Sequence, residues 1–545
     1  MERARQESLN RGAHTRRDDA SSSSRGRARK VVVIGAGLAG TTTAYYLARE
    51  GFDVTVVEQN GSVASATSRA NAGRFCPTSL TAGPTANPAA ASAVLGLAWK
   101  SVFGGGGGAA KGESGNVPSA VALTPALARW GLHFLRNCTA GRAEANCATM
   151  RQLGEMAVRE TGKLVEELGM TRESICRSDG TLYLYGDERG LLAGRAKAEA
   201  ARCAGMLGCV ELPLETAIAR HPWLAQWRRG DGDGDGQLPI RERVFPVMAA
   251  DDWSADARLF CGHVGRAAEK LGAKFLLNAA VEGLLISERQ GQGERAAGVT
   301  LADGSTLPCD ALVIATGPWT PSLLQKWLGW RAPYVPIEPM QGCSIDLLGC
   351  DGAPDVALAD YGSGTLSFQV TPMPGRDASE RRVRLCGVAE FVGMDADLER
   401  QQRHEEELLA RAKEVLPELR WERREATWTG RRPMTPDSLP IVGQIEQLSN
   451  VYLNCGHGPV GWTLAAATSW LTCAALVAQN KSFLAPFSVH RFEDDFSLIS
   501  GVKRSWARWT EPEEGEEGGV LSGLYRFTKK LESGLGGIGK DKPTD

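Results

Sequence analysis

KVVVIGAGLAGTTTAYYLAREGFDVTVVE, Lys30 to Glu58, spells a complete dinucleotide-binding unit. Val31 to Ile34 form the β-branched apolar run of a buried parallel strand. Gly35, Gly37 and Gly40 follow as GxGxxG. In such a turn the first glycine permits the tight bend, the second lets backbone approach pyrophosphate, and the third lets helix pack on strand. Ala44, Leu47 and Ala48 recur at helical spacing from Leu38 to Glu50, Gly51 ends the helix, and Val54 to Val57 supply a second strand. Glu58 closes that strand eighteen residues past Gly40. A carboxylate there accepts hydrogen bonds from an adenosine ribose and disfavours a 2′-phosphate, so FAD or NAD is expected rather than NADP. The alternative is a glycine-rich turn in some other α/β fold.

The rest of the chain bounds the function classes. With 545 residues, 43% of them hydrophobic, two to four domains are expected. The 62 basic and 64 acidic residues leave a net charge of −2, and no basic stripe interleaves with aromatics, so nucleic acid is not an expected partner. Thirteen cysteines lie scattered without CxxC pairs, which points to a reducing compartment and away from zinc. No HExxH helix and no spaced Ser/His/Asp set supports a metalloenzyme or a hydrolase, and no metal ligands are assigned. Residues 1–29 are rich in Arg and Ser but contain Glu2, Glu7, Asp18 and Asp19, so a disordered extension fits better than an acidic-poor transit peptide. No signal-peptide apolar core precedes the first strand, and the expected location is cytoplasmic or mitochondrial, not secreted. Residues 104–115 read as a Gly-rich insertion and 493–545 as a flexible tail without a peroxisomal SKL ending. Pro459 to Gln479 carries no charge over a length that could span a bilayer, but its Ala, Thr, Ser and Cys content and the Gly-rich turn before it favour a buried helix.

Three further places carry chemistry. ATSRANAGRFCP, Ala66 to Pro77, is a loop of small residues and hydroxyls suited to facing phosphate or ring atoms. KFLLNAAVEGLLI from Lys274 and GVTLADGSTLPCDALVIATGPWT, ending at Thr320, read as strands and a hairpin at Asp303–Gly304, then a buried strand that stops at Thr316 and Gly317. A strand ending in ATG is what completes the FAD site in flavoproteins with such a unit; a generic β-meander is the alternative. WTGRRPMTPDSLPIVGQIE, Trp428 to Glu446, sets two arginines before a turn stiffened by Pro433, Pro436 and Pro440. A fixed Arg432 guanidinium would grip a substrate carboxylate bidentately, unless both arginines are merely solvated. Gly456, His457 and Gly458 then open the apolar helix, whose amino end suits the anionic edge of a reduced flavin. His457 is a candidate acid or base, or a hydrogen-bonding loop residue.

These residues resemble the FAD-dependent D-amino acid dehydrogenases of the bacterial small-subunit type, within the D-amino-acid oxidase and glycine oxidase superfamily. The likeness runs through most of Lys30 to Phe492 and is carried by IGAGLAG, TSRANAG, FLRNC (Phe134 to Cys138), DGTLYLY (Asp179 to Tyr185), FVGM (Phe391 to Met394), WTGRRPMTPDSLPIVG and NCGHGPVGWT. It implies noncovalent FAD bound by Gly35, Gly37, Gly40, Glu58, Ser68, Asn71, Val281, Gly456 and Gly458, and a substrate carboxylate bound by Arg432; Gly317, from the strand ending in ATG, and His457, as candidate acid or base, are added from the residues themselves. Trp428 to Gly443 contains no Cys through which a flavin could be attached. The chain departs from compact bacterial members in its head, its Gly insertion, residues 230–236 and its tail. In VPIEPMQGC, Val335 to Cys343, Gln341 and Cys343 stand where relatives often carry Lys and Tyr; this stretch is expected on the substrate side.

The resulting expectation is an α/β flavoprotein. A discontinuous Rossmann-like FAD domain would take 30–85, 250–330 and 425–492, and an α+β substrate domain with a mixed sheet would take 86–249 and 331–424. The resemblance implies oxidation of a D-amino acid to a 2-oxo acid and ammonia, with electrons passed to a quinone or another carrier. Peripheral membrane contact is compatible with that acceptor, without a spanning helix. An oxygen-using glycine or sarcosine type amine oxidase and a non-catalytic flavoprotein assembly factor are the alternatives.

Overall fold

The computed structural model describes residues 28–493 except 82–85, 87–119, 123, 186–187, 207, 228–244, 290–292, 362–367, 374–380, 396 and 479–480. The Gly-rich insertion, the 230–236 segment and nearly all of both termini therefore lie outside the described residues.

The quoted unit forms the centre of a six-stranded sheet in the order Ile441–Gln444, Val451–Cys455, Ala311–Ile314, Lys30–Ile34, Asp53–Val57, Lys274–Leu276. Every neighbouring pair is parallel except the first. Both faces are covered, as a run of apolar β-branched residues requires. Val31, Val33, Val54, Val56 and Val313 pack against helices Leu38–Arg49, Ala140–Glu167, Ala257–Lys270 and Gly461–Val477. Val32, Ile34, Val57, Leu312 and Ile314 pack on the opposite side against helix Thr320–Leu328 and an antiparallel sheet of Val281–Arg289, Gly293–Leu301 and Thr306–Pro308. Gly304, at φ +83°, makes the hairpin expected at Asp303–Gly304.

Helix Gly461–Val477 is apolar and, with the turn before it, long enough to span a bilayer. Most of its side chains are buried against Leu38–Arg49 and Ala140–Glu167. Asn454 Nδ2 donates to Thr43 Oγ1 (3.1 Å) and Ser469 Oγ (3.4 Å), and Ser469 Oγ donates to the Ala39 carbonyl (3.0 Å). This buried polar knot ties the middle of helix Gly461–Val477 and the first half of helix Leu38–Arg49 to the strand that leads into Gly456.

An eleven-stranded mixed sheet forms the second layer system. Its main path runs Arg423–Arg424, Glu338–Leu348, Arg382–Phe391, Phe368–Met373, Ala357–Tyr361, Ser178–Tyr185, Phe245–Ser254, Arg74–Phe75, and Trp428–Met434 pairs with Glu338–Leu348. Helix Leu398–Val415 covers its Ile345, Leu347 and Leu385 face. Sheet membership cuts across the expected segments. Trp428–Met434 and Phe245–Ser254 hydrogen-bond into the large sheet although both fall in or overlap segments expected on the FAD side. Helix Ala140–Glu167, expected on the substrate side, instead buries Met150, Leu153, Ala157 and Leu164 in the core of the parallel sheet. Local pattern specifies a strand or a helix but not the layer that accepts it.

Candidate functional site

At the amino end of helix Leu38–Arg49 two of the three glycines, Gly35 and Gly40, are sterically enforced. Gly35 has φ +97°, and a Cβ there would lie 2.7 Å from the Ala315 carbonyl oxygen. A Cβ on Gly40 would lie 1.8 Å from the Gly35 carbonyl oxygen, so helix and strand approach only because it is absent. Glu58 Oε2 accepts from the Ala36 amide (2.9 Å), while Oε1 accepts from the Asn60 amide and side chain. The acid thus braces the turn as well as closing the strand. Val281 begins the strand after the segment whose Ala279 amide donates to the Glu58 carbonyl. Gly317 turns at φ +55° directly beyond the buried strand Ala311–Ile314.

Residues 66–75 cross the large sheet one strand at a time. Thr67 Oγ1 donates to the Arg431 carbonyl (2.9 Å) on the first strand. Ser344 Oγ donates to the Ala70 carbonyl (2.8 Å), Arg384 Nη1 to Asn71 (3.0 Å) and Thr371 Oγ1 to Ala72 (2.6 Å), on the next three. Arg384 is itself held bidentately by Asp346 at 2.6 and 2.8 Å, both side chains being buried. Ser68 Oγ accepts from the Leu38 amide (3.1 Å), so the strap reaches back to the glycine turn. Asn71 Oδ1 accepts from Gly73 and shapes the bend. The loop joins the two sheets, which is how a dinucleotide bound at the turn would meet the large sheet.

Strand Trp428–Met434 lies beside both the Gly317–Trp319 turn and the Gly458–Val460 turn. Arg432 is opposite Met340, and Gly430 is paired with Gly342. Its guanidinium lies over Gly342, where a Cβ would sit 2.4 Å from Nη1, and the Trp428 ring lies over Gly430, where a Cβ would meet it at 2.1 Å. Arg432 Nη1 donates to the Val388 carbonyl (3.0 Å). No carboxylate pairs with it among the described residues, and burial lowers its pKa. The turn after it is pinned as much by Arg491 as by prolines: Arg491 binds Asp437 at 2.6 and 3.1 Å and the Leu439 carbonyl at 2.9 Å.

Gly456 has φ +73° and Gly458 +56°, and a Cβ on Gly456 would lie 2.7 Å from Thr435 Cγ2. The buried His457 ring between them places Nε2 2.9 Å from Thr468 Oγ1 on the following helix. Thr468 Oγ1 also reaches the Ala465 carbonyl at 3.3 Å, so the ring is tied to the first turns of the helix. Burial pushes the His457 pKa down to about 4.

Several residues at this end escaped the sequence reading. Gly342, Val388, Thr468 and Arg491 act through space and carry no local motif. Glu338 also stands out: it shares the strand face of Met340 and Gly342, and burial pushes its pKa up to about 7. Gln341 and Cys343, expected on the substrate side, alternate away from that face, Cys343 into the core with Ile345 and Leu347.

Comparison with known proteins matches the family model "FAD dependent oxidoreductase" (DAO) over residues 30–475. The chain belongs to this family. The oxidoreductase is FAD-dependent, and the glycine turn, the braced acid and the strap suit that cofactor. Its fold is shared by glycine oxidase from Geobacillus kaustophilus (TM-score 0.58, 18% identity, 85% of this chain and 98% of that one). L-proline dehydrogenase from P. horikoshii gives a TM-score of 0.55 at 20% identity over 86% and 98% of the two chains. Iminodiacetate oxidase from Chelativorans sp. BNC1 gives 0.54 at 21% over 84% and 98%. At 18–21% identity these three structures share the fold with this FAD-dependent oxidoreductase.

Proposed function

We propose that this oxidoreductase converts a D-amino acid to a 2-oxo acid and ammonia, passing electrons to a quinone or another carrier. The observation that carries the reading is Arg432: a half-buried guanidinium on a glycine floor, next to the Gly458–Val460 turn, with a backbone carbonyl but no carboxylate to answer its charge among the described residues. An α-carboxylate supplies both charge and a planar two-point match. Bound FAD, held noncovalently, supplies the two-electron acceptor for the hydride on the substrate Cα. The Arg432 strand orients Cα, and the Gly456–Gly458 loop shapes the space on the cofactor side. His457, neutral and engaged with Thr468, holds that loop rather than taking a proton. The substrate enters the step as neutral amine, gives up its Cα hydride and releases one N–H proton to solvent to become an imine, and water then adds to release ammonia and the oxo acid.

The test uses purified holoenzyme without oxygen, mixed with D- and L-amino acids, N-alkyl glycines and 2-hydroxy acids. Bleaching of the flavin by a D-amino acid, with one 2-oxo acid and one ammonia formed per FAD, is expected. Bleaching only by glycine or N-alkyl glycines, with stoichiometric hydrogen peroxide on readmitting air, would identify an oxidase. Failure of every compound to bleach would favour an assembly factor.

A further inference from the structure

The guanidinium of Arg432 does not project from its strand. It lies along the sheet, crossing the neighbouring strand at Gly342 to reach a third strand at Val388. Two irregularities make this path. Gly342 has no need of glycine for its backbone, since its φ is not among the positive ones, and the space a side chain would fill holds Nη1 at 2.4 Å and Cζ and Nη2 at 2.7 Å. Directly across from Gly342 the ladder slips: Gln341 pairs with Glu390 and Cys343 with Gly387, so Val388 and Ala389 stand opposite Gly342 alone. That is a β-bulge, two residues against one. Within it Val388 adopts φ +68°, a left-handed conformation that a β-branched residue rarely takes, while remaining only 2% exposed. Its carbonyl is the one that accepts from Arg432. Such strain persists only where the surroundings over-determine it, and it gathers at functional sites.

We infer that Gly342 and the Val388 bulge are positioning elements for the substrate arginine: one opens the path for the guanidinium and the other anchors its far end. The inference rests on the reading of Arg432 as the carboxylate-binding residue. Laid flat and tied at Nη1, the guanidinium presents its remaining N–H groups from a fixed depth, so a carboxylate docks at one height above the sheet. With the Trp428 ring over the paired Gly430, this face of the sheet carries one cation beside one aromatic surface.

Gly342→Ala isolates this role. The new methyl meets the far end of a flexible side chain rather than backbone, so the sheet accommodates it while the guanidinium is displaced. Holoenzyme is titrated with benzoate, a carboxylate that cannot be oxidised, and binding is read from the visible spectrum of the flavin. In Gly342→Ala the expected result is full FAD content, an unchanged melting temperature and benzoate affinity weakened tenfold or more. With the D-amino acid, KM rises by a similar factor while the limiting anaerobic bleaching rate changes less than threefold. In an Arg432→Met background the same Gly342→Ala change has no further effect, because the group it displaces is gone. Benzoate affinity within twofold of wild type in Gly342→Ala, or equal additional losses in both backgrounds, overturns the inference. Wild-type holoenzyme that shows no response to benzoate would instead remove the reading of Arg432 on which it stands.

Discussion

The glycine turn from Gly35 to Gly40 is made by neighbours in the chain, whereas the setting of Arg432 draws on Glu338–Leu348, Arg382–Phe391 and Trp428–Met434, strands separated by long connections. Both use missing side chains to bring groups together. At the turn, backbone meets backbone: Gly40 admits the Gly35 carbonyl, and nothing there can yield. At Arg432, backbone meets a flexible side chain: Gly342 admits the guanidinium, which can move aside. The first region should therefore fail by losing cofactor or fold, and the second by losing substrate alone.

Gly40→Val should have the largest effect. With a Cβ 1.8 Å from a carbonyl oxygen, helix Leu38–Arg49 must leave its strand, at a cost of about 3 kcal/mol or more. Little flavin should co-purify, and thermal unfolding should begin many degrees earlier; a yellow, stable variant would break the contrast. Arg432→Met comes next, with FAD retained and the D-amino acid kcat/KM reduced by about 2–4 kcal/mol, roughly 30- to 1000-fold. Steady-state kinetics on protein of verified flavin content checks this.

The loop between the regions offers a pH test. His457 is shifted from 6.5 to about 4, so it stays neutral in the fold while the unfolded chain takes up a proton below its ordinary value. Its contribution to stability is complete above about pH 6.5 and is lost as pH falls towards 4. His457→Asn, which can still hydrogen-bond with Thr468, should lose less melting temperature over that window than wild type, by a few degrees. Equal acid sensitivity of the two proteins would contradict a buried neutral imidazole. Glu338→Gln should give the smallest change, with the opposite sign. A carboxyl shifted from 4.5 to about 7 loses its stabilising neutral form as pH rises between those values. The variant should melt a degree or two higher than wild type at pH 8 and the same at pH 5, by calorimetry.

The contrast also explains what was legible in sequence. Strand, GxGxxG, helix, strand and Glu58 lie within one short segment, so spacing alone encodes their geometry, and the structure keeps them in register. The motif around Arg432 marked the residue but not its posture. Gly342 lies ninety positions upstream in an unremarkable QGC, and Val388 shows as strained only once the bulge exists. Period-two alternation puts Gln341 and Cys343 on the sheet face opposite that of Arg432 and Gly342, which the motif alone did not show. The prolines pointed to a stiff turn, but Arg491, which clamps Asp437 there, comes from the far end of the described chain.

The pairing of Arg432 with a substrate carboxylate is tested most directly by rates of anaerobic flavin bleaching. A D-amino acid and the amine that lacks its carboxylate are compared in wild type and Arg432→Met. The wild type should reduce far faster with the acid than with the amine, and Arg432→Met should lose that preference while reacting with the amine unchanged. A preference for the acid that survives in Arg432→Met would contradict the account.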